Sequence, residues 1–214
     1  PLMFHFPMED QTFSETEHSF IFANALKITP VLDAETSDGD SVRSYFPEGT
    51  WVNMNNYTEI IVSEGGELGW MNLTVDKSTE NLINTHLMPG AIVTKQEGTF
   101  FTTQDIALDK TPFSFIANRD KNGAASTKIY LDDGESLEQD TEYYNILLSA
   151  NSIKKWNVDV SEESKRGNLL SIVITNAEDL KDTDFACMTA DADWAQTDLS
   201  YSYNDANKTL TIST

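Results

Sequence analysis

The sequence predicts an all-β protein built from two consecutive antiparallel β-sandwich domains. Apolar or alternating segments of strand length recur along most of the chain. Between them lie turn sequences rich in glycine, aspartate and asparagine, among them "PEGT", "EGGELG" and "DKNG". Many short strands joined by such turns are typical of β-sandwiches, and 214 residues are enough for two of them.

Apolar alternation predicts strands in this order along the chain: 25–32, 41–46, 69–75, 82–87, 113–118, 127–131, 143–150, 169–175 and 209–214. Residues 10–20, "DQTFSETEHSF", predict a short helix or turn instead. The residues before Ala25 do not alternate, and we expect them to be the tail of a preceding structural element.

A polar stretch, "LEQDTEY" at 137–143, carries no core pattern and predicts a domain boundary. The expected organisation is therefore a connecting segment at 1–24, a first sandwich at 25–138 and a second sandwich at 139–214.

Charge and hydropathy exclude several classes of partner. The chain has 14 Lys and Arg against 35 Asp and Glu, a formal net charge of -21. A nucleic-acid backbone or an anionic membrane surface would repel such a protein. No apolar run is long enough for a transmembrane helix. A hydrophobic content of 39% is sufficient for a packed core.

Three sequons indicate passage through the secretory pathway. Asn56, Asn72 and Asn207 each begin an Asn-X-Thr sequence and are candidate N-glycosylation sites. The single Cys187 cannot form a disulfide within the chain, and a buried free thiol is the favoured interpretation. Nothing near Pro1 resembles a signal peptide, from which we expect the chain to be part of a longer protein.

One loop has part of a calcium-binding pattern. In "NRDKNG", Asn118, Asp120, Asn122 and Gly123 occupy the first, third, fifth and sixth positions of an EF-hand loop. Ile129 stands where the closing bidentate Glu is required, so this loop lacks a ligand that calcium coordination needs. The alternative is a hairpin turn at Asn-Gly between two strands, and it is preferred.

A second acidic stretch, "KIYLDDGESLE", invites a catalytic interpretation. A glycosidase needs two carboxyl groups about 5 to 10 Å apart that face one sugar. Asp132 and Asp133 are adjacent at a strand end and point to opposite faces, and Gly134 completes a tight-turn signal. The stretch is therefore predicted to be a turn.

The remaining candidates for chemistry are scattered. His5, His18 and His86 match no metal-binding spacing, and no nucleophile, nucleotide or cofactor motif occurs in the sequence. We expect no catalytic residue, no metal site and no cofactor in this chain.

Tryptophans supply the one candidate for direct sugar binding. Trp51, Trp70 and Trp156 could form a stacking platform for sugar rings, which would make the chain a carbohydrate-binding module. Trp51 and Trp70 begin strands, however, where packing in a core or a domain interface is the usual role of so large a ring.

Taken in order, several segments resemble one family. "PLMFHFP", "FIFANALKITPVL", "SYFPEGTWVNM", "GWMNLTVDKSTENLINTHLMPGAIVTKQE" and "KIYLDDGESLE" closely resemble the C-terminal part of glycoside hydrolase family 31. The similarity is to the branch of lysosomal acid α-glucosidase, sucrase-isomaltase and maltase-glucoamylase. It is strong to Glu138 and weaker beyond.

The resemblance implies a function that lies mostly outside these residues. Family members are retaining exo-α-glucosidases that release terminal glucose from α-linked glucans. Their catalytic carboxylates lie on a (β/α)8 barrel that precedes two C-terminal β-sandwiches, so no catalytic position maps onto this chain. The implied partners are that upstream barrel and, through it, an α-glucan. The implied location is the lysosome or the cell exterior, and the chain alone is expected to be inactive.

Some residues depart from the family pattern. His5 replaces the usual Glu, Asn24 interrupts a turn that usually contains Gly, and Met88-Pro89 replaces a pair that begins with Arg. Two alternatives to a role in an α-glucosidase stay open at this point. One is a free-standing carbohydrate-binding module, and the other is a structural or storage protein without activity.

Overall fold

A computed structural model describes residues 1–14, 17–32, 39–75, 83–96, 113–131, 142–149, 152–159, 169–183, 187–189, 195–197 and 200–213. The chain divides into two compact units, Pro1–Ala91 and Ile92–Thr214. The described residues are nearly all in strands and turns, with a few short 3-10 helices, which confirms the all-β prediction.

The first unit contains two antiparallel sheets. Its strands are β1 (Phe20–Phe22), β2 (Leu26–Pro30), β3 (Ser41–Tyr45), β4 (Gly49–Asn53), β5 (Ile60–Ser63), β6 (Trp70–Thr74) and β7 (Ile83–Leu87). Sheet I has the strand order β1-β2-β7-β4-β5, and sheet II is the pair β3-β6. Three 3-10 helices accompany them, at Leu2–Phe4, Asp10–Ser14 and Gly66–Gly69.

An aromatic core joins the two sheets of this unit. Phe46, which follows β3, makes an edge contact with Trp51 of β4 at 5.6 Å between ring centroids. Both rings are fully buried, and Leu73 of β6 completes the cluster. Met88 packs against the same cluster, so the residue that departs from the family pattern has become part of the core.

The turn between β1 and β2 explains another departure. Ala23 and Asn24 both have positive φ, at 51° and 53°, and Ala25 N donates to Phe22 O at 3.0 Å. Three residues, 23–25, connect the paired Phe22 and Leu26, and the first two adopt the left-handed conformation. Asn tolerates the left-handed conformation well, so Asn24 serves where a glycine would be usual.

The second unit is built on one large sheet. Its strands are β8 (Ala91–Gln96), which begins at the boundary, β9 (Phe113–Asn118), β10 (Ala125–Leu131), β11 (Glu142–Ser149), β12 (Ser152–Asp159), β13 (Leu169–Thr175), β14 (Cys187–Thr189), β15 (Ala195–Thr197), β16 (Ser200–Asn204) and β17 (Thr209–Ser213). Sheet III has the order β12-β11-β10-β8-β9-β13-β17-β16, and β14 pairs with β15. A 3-10 helix spans Glu178–Leu180. Phe115, Ile174 and Leu210 lie in the buried core of the second unit.

The division of the chain differs from the sequence prediction. The predicted boundary at 138/139 falls between β10 and β11, yet these strands pair antiparallel from Ala125↔Leu148 to Leu131↔Glu142. The compact units instead divide at 91/92. A polar connection between two consecutive strands such as β10 and β11 has the same composition as a linker between domains. Other pairs of sheet III, such as β9 and β13, join segments that are distant in sequence.

The predicted hairpin at Asn122-Gly123 is wrong in its strand pairing. A tight turn does form, with Gly123 at φ 74° and Asp120 Oδ1 accepting from Asn122 N at 2.8 Å and Ala124 N at 2.9 Å. However, β8 lies between β9 and β10 in sheet III. In addition, β9 runs parallel to β13. Local turn chemistry fixes the reversal but not the neighbour of each strand.

Two basic side chains lie inside the first unit. Lys27 is fully buried, donates from Nζ to Thr29 Oγ1 at 2.8 Å and to Ser44 Oγ at 2.5 Å, and lies over the Phe46 ring at 4.3 Å. His86, its neighbour across the β2-β7 ladder, is 2% exposed. Burial, together with the nearby Lys27 charge, lowers the pKa of His86 to about 4.

We expect His86 to make the first unit lose stability in acid. Between pH 6.5 and 4, His86 binds a proton in the unfolded state but not in the folded state. Stability that is present above pH 6.5 is therefore lost as the pH falls towards 4. Denaturant unfolding should show that this single group lowers the free energy of unfolding by about 2–3 kcal/mol at pH 4.5. His86→Gln should remove that part of the slope. The exposed His18→Gln is the matched control, and an equal slope in the two variants would contradict the prediction.

Candidate functional site

The terminal segment, Pro1–Ser14, folds back on itself and onto the first unit. Leu2 and Thr12 are fully buried. Thr12 Oγ1 donates to Glu9 O at 2.7 Å, and Phe6 N donates to Leu2 O at 3.0 Å. These bonds close the two short 3-10 helices of the segment. The prediction of a short helix or turn near residue 10 is confirmed for Asp10–Ser14.

The segment covers an aromatic pair on the outer face of sheet II. Tyr45 and Trp70 are register partners, with ring centroids 5.4 Å apart. Leu73 and Met71 of β6 contact the core cluster, so Trp70 and Tyr45 lie on the opposite face by strand alternation. Tyr45 is nevertheless fully buried. A ring of this size on an outer face can be buried only if something lies over it.

Hydrogen bonds hold the segment in that position. The Tyr45 hydroxyl donates to Glu9 Oε2. Gln11 Nε2 donates to Glu67 Oε1 at 2.6 Å, and Gln11 Oε1 accepts from Trp70 Nε1 at 3.3 Å. We call Glu9, Gln11, Tyr45, Glu67 and Trp70 the terminal clamp. Burial and the hydrogen bond to Glu9 raise the pKa of Tyr45, so the phenol stays a donor across the physiological range.

The glycine-rich turn "EGGELG" is shaped to receive this clamp. A Cβ on Gly69 would lie 2.5 Å from both Phe46 O and Tyr45 Cε2, which leaves no room for any side chain. Gly65 has φ 69°, and a Cβ there would lie 3.2 Å from Glu9 Oε2. The turn therefore needs glycine at these positions so that Tyr45 and Glu9 can approach it closely.

The structure separates the three candidate stacking tryptophans. Trp51 is fully buried and donates from Nε1 to Pro47 O at 2.9 Å, so it offers no face to a sugar. Trp70 has the Arg43 guanidinium over its ring at 4.4 Å and Tyr45 beside it. Trp156 lies in β12, and its side chain is outside the described part of the chain. Packing, rather than sugar stacking, is the role shown for Trp51.

The loop at residues 118–123, which has part of an EF-hand pattern, borders a polar cleft in the second unit. The cleft has a volume of about 510 Å³ and includes Arg119, Asp120, Glu178 and Asp179 in its lining. Arg119 Nη1 donates to Asp179 Oδ2 at 3.1 Å, and this bond holds the pKa of Asp179 below its usual value. Among the described residues, no group of three or more His, Cys, Asp or Glu side chains could hold a metal ion.

The other candidate residues are not brought together. His86 lies in the core of the first unit, whereas His5 and His18 are exposed. Asp132, Asp133 and Gly134 of the acidic stretch lie outside the described residues. Cys187 is in β14, and its side chain is likewise not described.

Large apolar side chains are exposed beside the clamp. Phe4, Met8 and Phe13 of the terminal segment are 74%, 92% and 54% exposed, and Leu68 of the adjoining turn is 65% exposed. Large exposed apolar side chains concentrated in one short segment are a feature of interaction surfaces. We call these four residues the apolar rim.

The family of the first unit emerges from comparison with known sequences. Residues 1–93 match the profile of the glycosyl hydrolase family 31 C-terminal domain. The lysosomal alpha-glucosidase of Rattus norvegicus is 30% identical over 154 residues, which cover 64% of this chain and 15% of that protein. An alpha-glucosidase of Mucor javanicus is 30% identical over 138 residues, again 64% of this chain and 15% of the relative. The chain thus spans 15% of the length of these relatives.

Solved structures share the fold of the whole chain. The glucosidase II alpha subunit in its Glc1Man2-bound crystal structure superposes with a TM-score of 0.80 at 15% sequence identity. The superposition covers 100% of this chain and 24% of that one. Among the described residues, no helix is long and apolar enough to span a bilayer.

We expect the Tyr45–Glu9 hydrogen bond to hold the terminal segment in place. Tyr45→Phe keeps the ring and its contact with Trp70 but removes the donor, which should cost about 1.5–3 kcal/mol because the acceptor is a carboxylate. Chemical denaturation measures the loss, and amide exchange at residues 9–12 should rise with it.

A double-mutant cycle with Glu9→Ala, which removes the acceptor, supplies the control for this prediction. If the two side chains act through one bond, the double variant should be scarcely less stable than the single ones. Fully additive losses would contradict the assignment.

Proposed function

We propose that this chain, whose residues 1–93 match the glycosyl hydrolase family 31 C-terminal domain, is the non-catalytic C-terminal part of a retaining exo-α-glucosidase. In this proposal a (β/α)8 barrel precedes Pro1 and carries both catalytic carboxylates. The barrel removes terminal glucose from α-linked glucans, and the chain braces it. The family match is the observation that carries the proposal, and the α-glucosidase relatives support the reaction.

The terminal clamp supports the bracing role. It fastens the terminal segment to sheet II and to the adjoining 3-10 helix through three side-chain hydrogen bonds, those of Tyr45 to Glu9, Gln11 to Glu67 and Trp70 to Gln11. A barrel attached to such a segment would be held at a fixed entry angle rather than on a flexible linker. Glycosidase chemistry depends on positioning, because small displacements of reacting groups reduce the rate severely.

The apolar rim supports the same role through its chemistry. Phe4, Met8 and Phe13 of the rim lie in the segment that would connect to the barrel. Completing the burial of such a side chain is worth up to about 1.5–3 kcal/mol. A barrel resting on the rim would therefore gain stability from the contact, and the rim would be removed from water.

The relatives also support a location. Lysosomal alpha-glucosidases are among them, and the chain has three sequons. We therefore place this protein in the secretory pathway, either delivered to a lysosome or secreted.

The proposal is tested by separating brace from barrel. The chain expressed alone should not hydrolyse maltose. Mixed with its barrel, produced as a separate polypeptide, it should restore hydrolysis or raise the melting temperature of the barrel. Turnover by the chain alone, abolished when one of its own carboxylates is changed, would overturn the proposal.

The rim is tested with a matched pair of leucines in the complete enzyme. Leu68→Asp introduces a charge at a rim position that is 65% exposed, and Leu32→Asp does the same at a position that is 63% exposed but outside the rim. Only the first should lower the melting temperature and the activity, because only it places a charge against the barrel. Equal effects of the two substitutions would remove the rim from the interface.

A further inference from the structure

We propose that Asn56 and Asn72 carry N-linked glycans in the mature protein and that Asn207 does not. This inference rests on the secretory location proposed above but is independent of the bracing role. Sequence alone treats the three sequons equally, whereas the structure gives each a different environment.

Asn56 lies in the exposed turn between β4 and β5. Its Oδ1 accepts from Thr58 Oγ1 at 2.7 Å and from Thr58 N at 3.2 Å, which closes a local turn. Its Nδ2 donates to Glu59 Oε1 at 3.0 Å. An amide nitrogen has two hydrogens, so a glycan can replace one while the bond to Glu59 keeps the other. Both Asn56 and Thr58 are exposed, and a glycan would extend into solvent.

Asn72 lies in the middle of β6 on the outer face of sheet II. Thr74 lies on the same face two residues later, and both side chains are exposed, whereas Leu73 between them is buried in the core. Across the ladder, Asn72 faces Arg43 and Thr74 faces Ser41, which are also exposed. This half of the outer face is polar throughout, so a glycan would cover no apolar side chain.

Asn207 has a more restricted environment. It is half-buried in the turn between β16 and β17, and Thr209 is 4% exposed. Lys208 has φ 52°, and its backbone O accepts from Ala177 N at 2.9 Å while its Nζ donates to Glu178 Oε2 at 2.8 Å. The turn is thus fastened to the neighbouring 3-10 helix. Asn207 Oδ1 accepts from Thr209 Oγ1 at 2.6 Å, as Asn56 does from Thr58, but here the threonine is buried, so the folded chain does not present the sequon to solvent.

The modification is a glycosyl transfer from a lipid-diphosphate-linked oligosaccharide in the endoplasmic reticulum. The asparagine Nδ2 attacks the anomeric carbon, a C–N bond forms, and the C–O bond to the diphosphate breaks. The lipid diphosphate leaves, and the amide proton passes to solvent through the transferase. No oxidant or metal bound to this chain is required.

A glycan at Asn72 also restricts where a partner can bind. It would keep the polar half of the sheet II outer face in solvent, opposite in character to the apolar rim. The other half of that face is already covered by the terminal clamp at Tyr45 and Trp70. A barrel must then contact the first unit through the terminal segment or through sheet I, not through Asn72 and Thr74.

The test uses the complete enzyme expressed with its own leader in a eukaryotic cell and purified from the secretory pathway. Asn56→Gln and Asn72→Gln should each remove the mass of one glycan, and Asn207→Gln should remove none. Peptide-N-glycosidase treatment followed by peptide mapping should convert Asn56 and Asn72, but not Asn207, to aspartate.

Substitutions at the third sequon position keep the test decisive if a glutamine variant fails to fold. Thr58→Val should abolish modification of Asn56, whereas Thr58→Ser should retain it; Thr74→Val and Thr74→Ser should do the same for Asn72. Unmodified Asn56 and Asn72, or a modified Asn207, would overturn the inference even where maltose hydrolysis is intact, so its failure is distinguishable from failure of the proposed function.

Discussion

The first unit depends on the burial of Tyr45 on the outer face of its two-stranded sheet. The ring is fully buried although the core lies on the other side of β3. The terminal segment, through Glu9 and Gln11, lies against this face, and the turn at Gly69 approaches the Tyr45 ring closely. The terminal segment is therefore a structural part of the unit. The same packing constrains the glycine-rich turn, where a Cβ on Gly69 would collide with Tyr45 and one on Gly65 would lie 3.2 Å from Glu9 Oε2.

The interior and the surface of this unit respond to acid in opposite directions. The whole chain has a net charge of -21, so its surface carboxylates repel one another at neutral pH. Their protonation would relieve that repulsion. Inside, His86 resists protonation because it is desolvated and lies near Lys27. Surface repulsion is spread over many charges and is screened beyond about 10 Å at 0.1 M salt, whereas the buried histidine is screened little. The acidic composition alone therefore does not make the protein acid-stable.

How much the sequence predicts depends on the range of the interaction. β9 and β13 were predicted with the bounds that they have, because each is predominantly apolar over the length of a strand. β4 begins at Gly49 and β12 contains two lysines, so neither shows simple alternation. The partners of β9 could not be predicted, since parallel pairing with β13 joins segments more than fifty residues apart. The terminal clamp was missed for the same reason: Glu9 is one of 35 acidic residues, and nothing near it marks Tyr45 as its partner.

The alternation of side chains along its strands assigns the residues of sheet I to two faces. On one face, Ile21 and Trp51 lie in or against the aromatic core, and Lys27 contacts its Phe46 ring. On the other face, register places Phe22, Leu26, Leu87, Val52 and Ile60 in one row across all of its strands. An antiparallel sheet at the surface of a protein normally presents polar residues on its solvent-facing side. The second face of sheet I is apolar along this row, whereas the face towards the aromatic core also carries Lys27 and His86. Val52 and Leu87 are fully buried within this chain and Phe22 is 60% exposed, so the row is packed at its centre and open to solvent at one end.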